Sequence, residues 1–195
     1  MVSSDKLEKA FELFDLANQK DPNKETYKGQ EYAKEVLYAI RMTQKLNDFA
    51  PDAPIELKLT ARCQHICRWE IARDAYEMNK IGYLNWRKDL KIFHAKKASE
   101  ILKEVGYNEQ IIDKVAFLLE KKQLKKNKDT RTLEDVICLV FLEFYFEAFA
   151  KKYSEEKMID ILQKTWRKMS EKGQKAALDL PLSLNSLALV RKALA

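Results

Sequence analysis

Apolar residues recur along the chain at intervals of three and four, the spacing that places side chains on one face of an α-helix. Leu7, Ala10, Phe11, Phe14 and Ala17 mark a first amphipathic helix, closed by the turn Asp21-Pro22-Asn23. Tyr32, Val36, Ala39, Ile40 and Thr43 mark a second, which runs to about Asn47. The segment Pro51-Asp52-Ala53-Pro54 breaks the pattern, and Pro54 is placed to open a third helix carrying Leu57, Leu59, Ala61 and Ile66 and ending near Arg73. Asp74 to Tyr83 has no clear period and reads as a connecting loop. A fourth helix runs from about Leu84 to Val105 and stops at Gly106, and Asn108 caps a fifth that extends through Lys122. After the Lys-rich link Gln123 to Asp129, Thr132 and Asp135 form a capping box for a sixth helix, Leu133 to Lys152. That helix is apolar nearly all round and is expected to be the central, buried element. Ser154 caps a seventh helix and Pro181 precedes a short eighth. No strand alternation, internal repeat or domain linker interrupts this series. The pattern predicts one all-α domain over residues 1–195, built from about seven or eight helices.

Composition narrows the class further. Four glycines and four prolines are too few for a turn-rich sandwich or barrel, while 46% apolar residues suffice for a sizeable core. No apolar run approaches the roughly 20 residues of a membrane span. The start MVSSDKLEKAF lacks the apolar stretch of a secretory leader. Three cysteines, an odd number, argue against a disulfide framework. The expectation is a cytoplasmic protein without membrane association. Lys and Arg total 36 against 30 Asp and Glu, a net charge of +6 that suits an anionic ligand. It does not require nucleic acid, because acidic residues are interleaved throughout.

Four constellations could carry chemistry. Cys63-x-His65-x-Cys67 looks like a metal knot, but on a helix i+2 points about 200° away from i, so the three side chains cannot converge on one ion. Cys63 and Cys67 read as small apolar residues. His65 and His94 are the only histidines. His94 lies on the line Leu90, His94, Ala98, Ile101, Val105, the buried face of the fourth helix by spacing. Between the histidines, Arg68, Arg73, Arg87, Lys88 and Lys91 alternate with Trp69, Tyr76, Tyr83 and Trp86. Guanidinium and ammonium groups bind phosphate and aromatic faces stack on bases, so the segment from Arg68 to Lys91 is expected to form an anion-binding wall. Glu143 sits in the apolar run LVFLEFYF, where a carboxylate is costly unless paired, bound or protonated. Glu134 and Asp135, by contrast, suit the acid-rich start of a helix.

These residues also carry a resemblance. Asp21-Pro22-Asn23, the helix from Lys34-Glu35 to Arg41-Met42-Thr43, QHICRWEIARDAY, GYLNWRKDL, FHAKKASEIL, TLEDVICLVFLEFYF and KMIDILQKTWRKMSEKG together resemble the family called domain of unknown function 4202, over nearly the full chain. The order of elements is also similar, more distantly, to the HD superfamily of metal-dependent phosphohydrolases. That likeness implies an all-helical core with His65 at the second-motif histidine, His94 at the histidine of the following helix and Glu143 at the last aspartate. The chain departs from the motif at Ile66, which stands where the aspartate ligand would be, and near Lys34 or Glu35, where the first histidine would fall. A later histidine pair of some members is replaced by Lys121-Lys122. A divalent ion would need help from Glu35, Glu70 or Asp74.

The resulting expectation is an HD-like helical protein that binds a phosphorylated small molecule, a nucleotide above all, with hydrolysis of its phosphoester as the accompanying activity. His65, His94 and Glu143 would form a catalytic floor and, with Asp74, hold a weakly bound divalent metal, Mn²⁺ or Mg²⁺. Arg68, Arg73, Arg87, Lys88 and Lys91 would hold phosphate, and Trp69, Tyr83 or Trp86 would flank a base. The alternative is an RNA- or protein-binding helical module using the same basic, aromatic surface without catalysis.

Overall fold

The chain folds as the periodicity predicts in its main elements and departs from it at the joints. In a computed structural model that describes residues 3–194, α1 spans Ser3–Asn18 and buries Ala10 and Phe14 completely. A two-stranded antiparallel hairpin follows, β1 Lys24–Tyr27 and β2 Gln30–Ala33, with Tyr27 opposite Gln30. The hairpin is a small exception within the all-α domain, and Tyr32, expected on the second helix, lies in β2. Lys28 and Gly29 both have left-handed backbones, φ 52° and 78°, as a two-residue turn matched to strand twist requires. Glycine reaches that conformation without strain, and the turn supplies the register.

α2 runs Lys34–Phe49 and α3 Ile55–Cys63, the latter opened by Pro54. α3 ends well before Arg73, because Cys67 turns left-handed (φ 52°) and its N–H is taken by the side chain of Asn18 at 2.9 Å. Two short 3₁₀ turns, Arg68–Glu70 and Arg73–Ala75, lead to α4, Lys80–Val105. α4 starts four residues earlier than its apolar pattern indicates, since Asn79 caps it by accepting from Gly82 N–H, and it ends at Gly106 with φ 86°. α5, Glu109–Leu119, is capped by Asn108 as expected.

α6 begins at Lys128, capped by Asn127 rather than by Thr132, and covers Lys128–Val140. It passes through a π-helical turn, Phe141–Tyr145, into α7, Phe146–Ala150. The central helix of the sequence pattern is thus one continuous rod with a wide turn inside it. α8, Glu155–Trp166, carries the Ser154 cap; α9, Glu171–Leu178, is a helix the periodicity did not separate; α10 is Leu184–Leu194. Among the described residues ten α-helices therefore stand where seven or eight were expected. No helix among the described residues is long and apolar enough to cross a membrane.

The core has three connected regions. α1, α3, α4 and α5 bury Phe14, Leu59, Ile66, Ala98 and Leu102. α2, α3 and α6 meet around Met42, Leu46, Leu57, Val136 and Val140. The π turn packs with α8, α9 and α10 around Leu142, Phe146, Met158 and Leu162. Between these regions, the N-terminal end of α2, the C-terminal end of α3, α4 and α6 leave a cavity.

Candidate functional site

The cavity has a volume of about 470 Å³. α2 contributes Lys34, Glu35 and Tyr38; the end of α3 contributes Gln64 and His65; the first 3₁₀ turn contributes Arg68. Tyr83 and Arg87 come from α4, Lys121 from the turn after α5, and Glu134, Ile137 and Cys138 from α6. Phe141, Tyr145 and Phe149 from the π turn and α7, with Ile161, Thr165 and Lys168 from α8 and its end, complete it. The lining is cationic at Lys34, Arg68, Arg87, Lys121 and Lys168 and aromatic or aliphatic at Ile137, Phe141, Tyr145, Phe149 and Ile161. A separate cleft of about 550 Å³ lies between Ala50–Pro54 and the start of α6, with Lys126, Lys128, Arg131 and Lys172 on its rim, but no histidine reaches it.

Local backbone chemistry aims the polar residues. Asp21, which is fully buried, accepts from Asn23 N–H at 2.9 Å and from Glu35 N–H at 3.2 Å. It thereby caps the start of α2 from outside the helix and orients Glu35. Asn18 fixes the left-handed Cys67, and the chain then delivers Arg68 to the cavity. Lys121 is itself left-handed, φ 56°. Such a backbone costs about 1 kcal/mol or more in a residue with a side chain and persists where surroundings over-determine it.

His65 stacks on Tyr38, ring centroids 4.0 Å apart and 12° from parallel, while Tyr38 donates its hydroxyl to Gln64 Oε1 at 3.0 Å. His65 Nδ1 lies 3.3 Å from Glu35 Oε2, and His65 Nε2 lies 3.4 Å from an Arg68 guanidinium nitrogen. Arg68 rests over the Trp86 indole at 4.7 Å, and Trp86 is held by its N–H to the Ile71 carbonyl at 2.9 Å. Lys121 and Glu134 form an ion pair at 2.6 Å, with Lys168 at 3.9 Å on the other carboxylate oxygen.

Burial pushes Glu35 up to about 7 against the opposing pull of Arg68. Burial, then the nearby Arg68 and Arg87 charges, holds His65 well below its ordinary value. His94 is held down to about 3 by burial and by its neighbour His65. Both imidazoles are therefore neutral at pH 7. Burial raises Glu134, but Lys121, with Lys168 and Arg87 behind it, outweighs burial and keeps the carboxyl below the usual range. Cys138 is pushed up to about 12 by burial and by Glu134, so it lines the wall as a thiol and not as a nucleophilic thiolate.

The sequence-derived candidates divide clearly. His65 and His94 come together, ring centroids 6.0 Å apart. Arg68, Tyr83 and Arg87 line the cavity. Glu143 does not: it faces α2, where the Lys45 ammonium approaches it at 2.5 Å, off the hydrogen-bonding direction, as a charge contact. Glu134 and Glu143 are nine residues apart, about half a turn out of phase on a helix, so only one of them can face the cavity. Glu134 holds that place, and its helix-start position does not explain it. Arg73 spends its guanidinium on the carbonyls of Tyr76, Glu77 and Asn79, at 3.0, 2.8 and 3.3 Å, and staples the loop before α4. Trp69 packs into the α1–α5 core and Trp86 is buried beneath Arg68, so neither faces the cavity as a base platform. Lys88, Lys91 and Asp74 are not among the lining residues, and Asp74 is exposed. Of the anion-binding wall expected from Arg68 to Lys91, Arg68, Tyr83 and Arg87 line the cavity and the other members do not.

Spacing did not find Lys34, Lys121, Lys168 and Glu134, which come from four separate segments. The usable signals were Lys34-Glu35 and Lys121-Lys122, the positions that the more distant resemblance had singled out. Among the described residues, no group of three or more His, Cys, Asp or Glu is placed to hold a metal ion.

With this geometry in view, the chain belongs to the family described as a domain of unknown function (DUF4202), whose pattern covers residues 8–190. No curated protein and no solved structure matches it.

Proposed function

We propose that this family member binds a phosphorylated small molecule in the cavity, with a nucleotide as the class that suits it best. The observation that carries the reading is an imbalance of charge. Lys34, Arg68, Arg87, Lys121 and Lys168 face only two carboxylates, and those are engaged, Glu35 with His65 and Glu134 with Lys121 and Lys168. Among the described residues the arginine ion pairs are those of Arg41 and Arg62, so neither cavity guanidinium has a carboxylate at ion-pair distance, and Arg68 feels Glu35 only from farther away. Holding unpaired cations in a partly desolvated site is costly, and a phosphate offsets that cost while matching the guanidinium fork. The aromatic lining, with Phe141, Tyr145 and Phe149, offers π faces to a planar base. The volume falls within the roughly 300–1,000 Å³ of small-molecule sites.

Phosphoester hydrolysis is the activity this arrangement suits. Glu35, titrating near 7, can take the proton of an attacking water and return it to the leaving oxygen as the P–O ester bond breaks. His65 Nδ1 lies 3.3 Å from that carboxylate. The acid–base role expected of Glu143 moves to Glu35 on this reading. The RNA-binding alternative needs an outward aromatic surface, and the inward packing of Trp69 and Trp86 counts against it.

Thermal-shift screening of wild type and Arg87→Ala against nucleotides and phosphometabolites tests the reading, because a specific ligand stabilises by mass action. A ligand that raises the wild-type Tm, and binds Arg87→Ala about 10- to 150-fold more weakly, supports it. Equal binding by both proteins places the ligand elsewhere and refutes it.

A further inference from the structure

The two histidines carry the proton pattern of metal ligands. His94 Nδ1 lies 2.7 Å from the Ile66 carbonyl, which can only accept, so the proton sits on Nδ1 and Nε2 presents a lone pair. That Nε2 is buried without a partner. At His65 the neighbour of Nε2 is the Arg68 guanidinium, which can only donate. His65 therefore also has its lone pair on Nε2 and its proton on Nδ1, which lies 3.3 Å from Glu35 Oε2 as a close polar contact. An imidazole protonated on Nδ1 with its lone pair on Nε2 is prepared to ligate.

The rest of the donor set does not fit an ion. Metal–nitrogen bonds are about 2.0–2.1 Å, and carboxylate oxygens normally supply the remaining positions. Glu35 is turned to the far nitrogen of His65, Ile66 offers no donor, Asp74 is exposed and Glu143 faces Lys45. The space in front of His65 Nε2 is filled by a guanidinium that Trp86 holds from behind at 4.7 Å. A divalent ion placed there would meet that fixed charge at contact distance, where like charges repel strongly.

We propose that Arg68 stands in the place of a metal cation, so that the site neutralises a phosphoryl group with Arg68 and Arg87 and without a divalent ion. The proposal deepens the phosphate-binding reading and rests on it. The His65 lone pair and the Trp86 face fix the guanidinium before the ligand arrives, which lowers the entropy cost of binding. Arg68→Lys keeps the charge but loses the planar stack and the fork.

Two measurements test this on the full chain. Inorganic phosphate is titrated calorimetrically into wild type, Arg68→Ala and Arg68→Lys in chelator. Mn²⁺ is then followed by electron paramagnetic resonance with wild type, alone and with phosphate. The expected result is phosphate binding in chelator, weakened at least about tenfold in Arg68→Ala and less in Arg68→Lys, with Mn²⁺ remaining free throughout. Should Arg68→Ala not fold, Arg68→Lys carries the comparison. Phosphate binding that requires Mn²⁺, stoichiometric uptake of Mn²⁺, or unchanged affinity in the Arg68 variants overturns the proposal and leaves the binding reading standing. No phosphate binding by wild type under either condition overturns both.

Discussion

Lys121 and Glu134 meet at 2.6 Å in the cavity wall, one from a left-handed turn and the other from the middle of α6. Their side chains are 13% and 6% exposed, so each is the other's main source of charge compensation. Removing one partner of such a pair strands the other. Lys121→Met is expected to destabilise the fold by about 3–5 kcal/mol, toward the lower end because Lys168 remains 3.9 Å from Glu134. The double variant Lys121→Met, Glu134→Leu should recover most of that loss. Denaturant unfolding of the four proteins in the cycle checks it; a double variant no more stable than Lys121→Met would mean that packing, and not charge, sets the cost.

The acid dependence of stability is set by opposing groups around His65. His65 and His94 have depressed values in the folded state, so stability is lost as pH falls below the unfolded histidine range, near 6.5. Glu35 works in the other sense. Its folded value of about 7 exceeds the unfolded 4.5, so the folded chain binds a proton more tightly and its contribution is lost as pH rises from 4.5 to 7. Between these limits the two histidines and Glu35 partly cancel. Glu35→Gln is expected to steepen the fall in stability between pH 6.5 and 4.5 by about one proton, or roughly 1.4 kcal/mol per pH unit. Urea melts of both proteins across this range measure the slopes; parallel curves would show that Glu35 titrates as an ordinary carboxyl.

Arg73 and Arg87 look interchangeable in sequence and are not so in space. Arg73→Ala removes the three carbonyl contacts that hold the loop before α4. It should lower the Tm by several degrees, a loss of about 1–3 kcal/mol. Arg87→Ala should leave the Tm of the free protein within about a degree, because surface-type substitutions cost within about 0.5 kcal/mol. Scanning calorimetry of both variants without ligand distinguishes them, and an Arg87→Ala loss as large as that of Arg73→Ala would reveal a structural role for Arg87.

Arg41 is the clamp between the hairpin and the π turn. It is 5% exposed, donates to Glu25 at 2.6 Å and to the Tyr145 hydroxyl at 2.8 Å, and lies within 4.6–5.1 Å of the Tyr27, Phe144 and Tyr145 rings. Arg41→Met keeps the volume but loses the charged contacts, at a cost of about 1.5–3 kcal/mol. The loss should be local. Hydrogen exchange is expected to show faster exchange of the Lys24–Ala33 amides with α5 unchanged, whereas uniform loss of protection would show that the clamp supports the whole core.

Much of the architecture was decided by local chemistry and is therefore legible in the sequence. Phe14 and Ala10 share a helix face by spacing alone; Gly106, Asn108 and Ser154 end or begin helices through their own backbone or side chain. The pairing of His65 with basic and aromatic neighbours was visible for the same reason, since Arg68 lies within one turn of it. What the sequence could not determine depends on groups brought from far along the chain. α3 stops at Cys63 because Asn18, 49 residues before Cys67, takes the Cys67 N–H. Glu134 enters the cavity and Glu143 leaves it because Lys121 lies opposite one and Lys45 opposite the other. Trp69 and Trp86 turn inward because the α1–α5 core covers one and Arg68 the other. Helical spacing specifies which residues share a face, while the partner across that face is chosen by packing, and for a charged or aromatic side chain the partner decides its role.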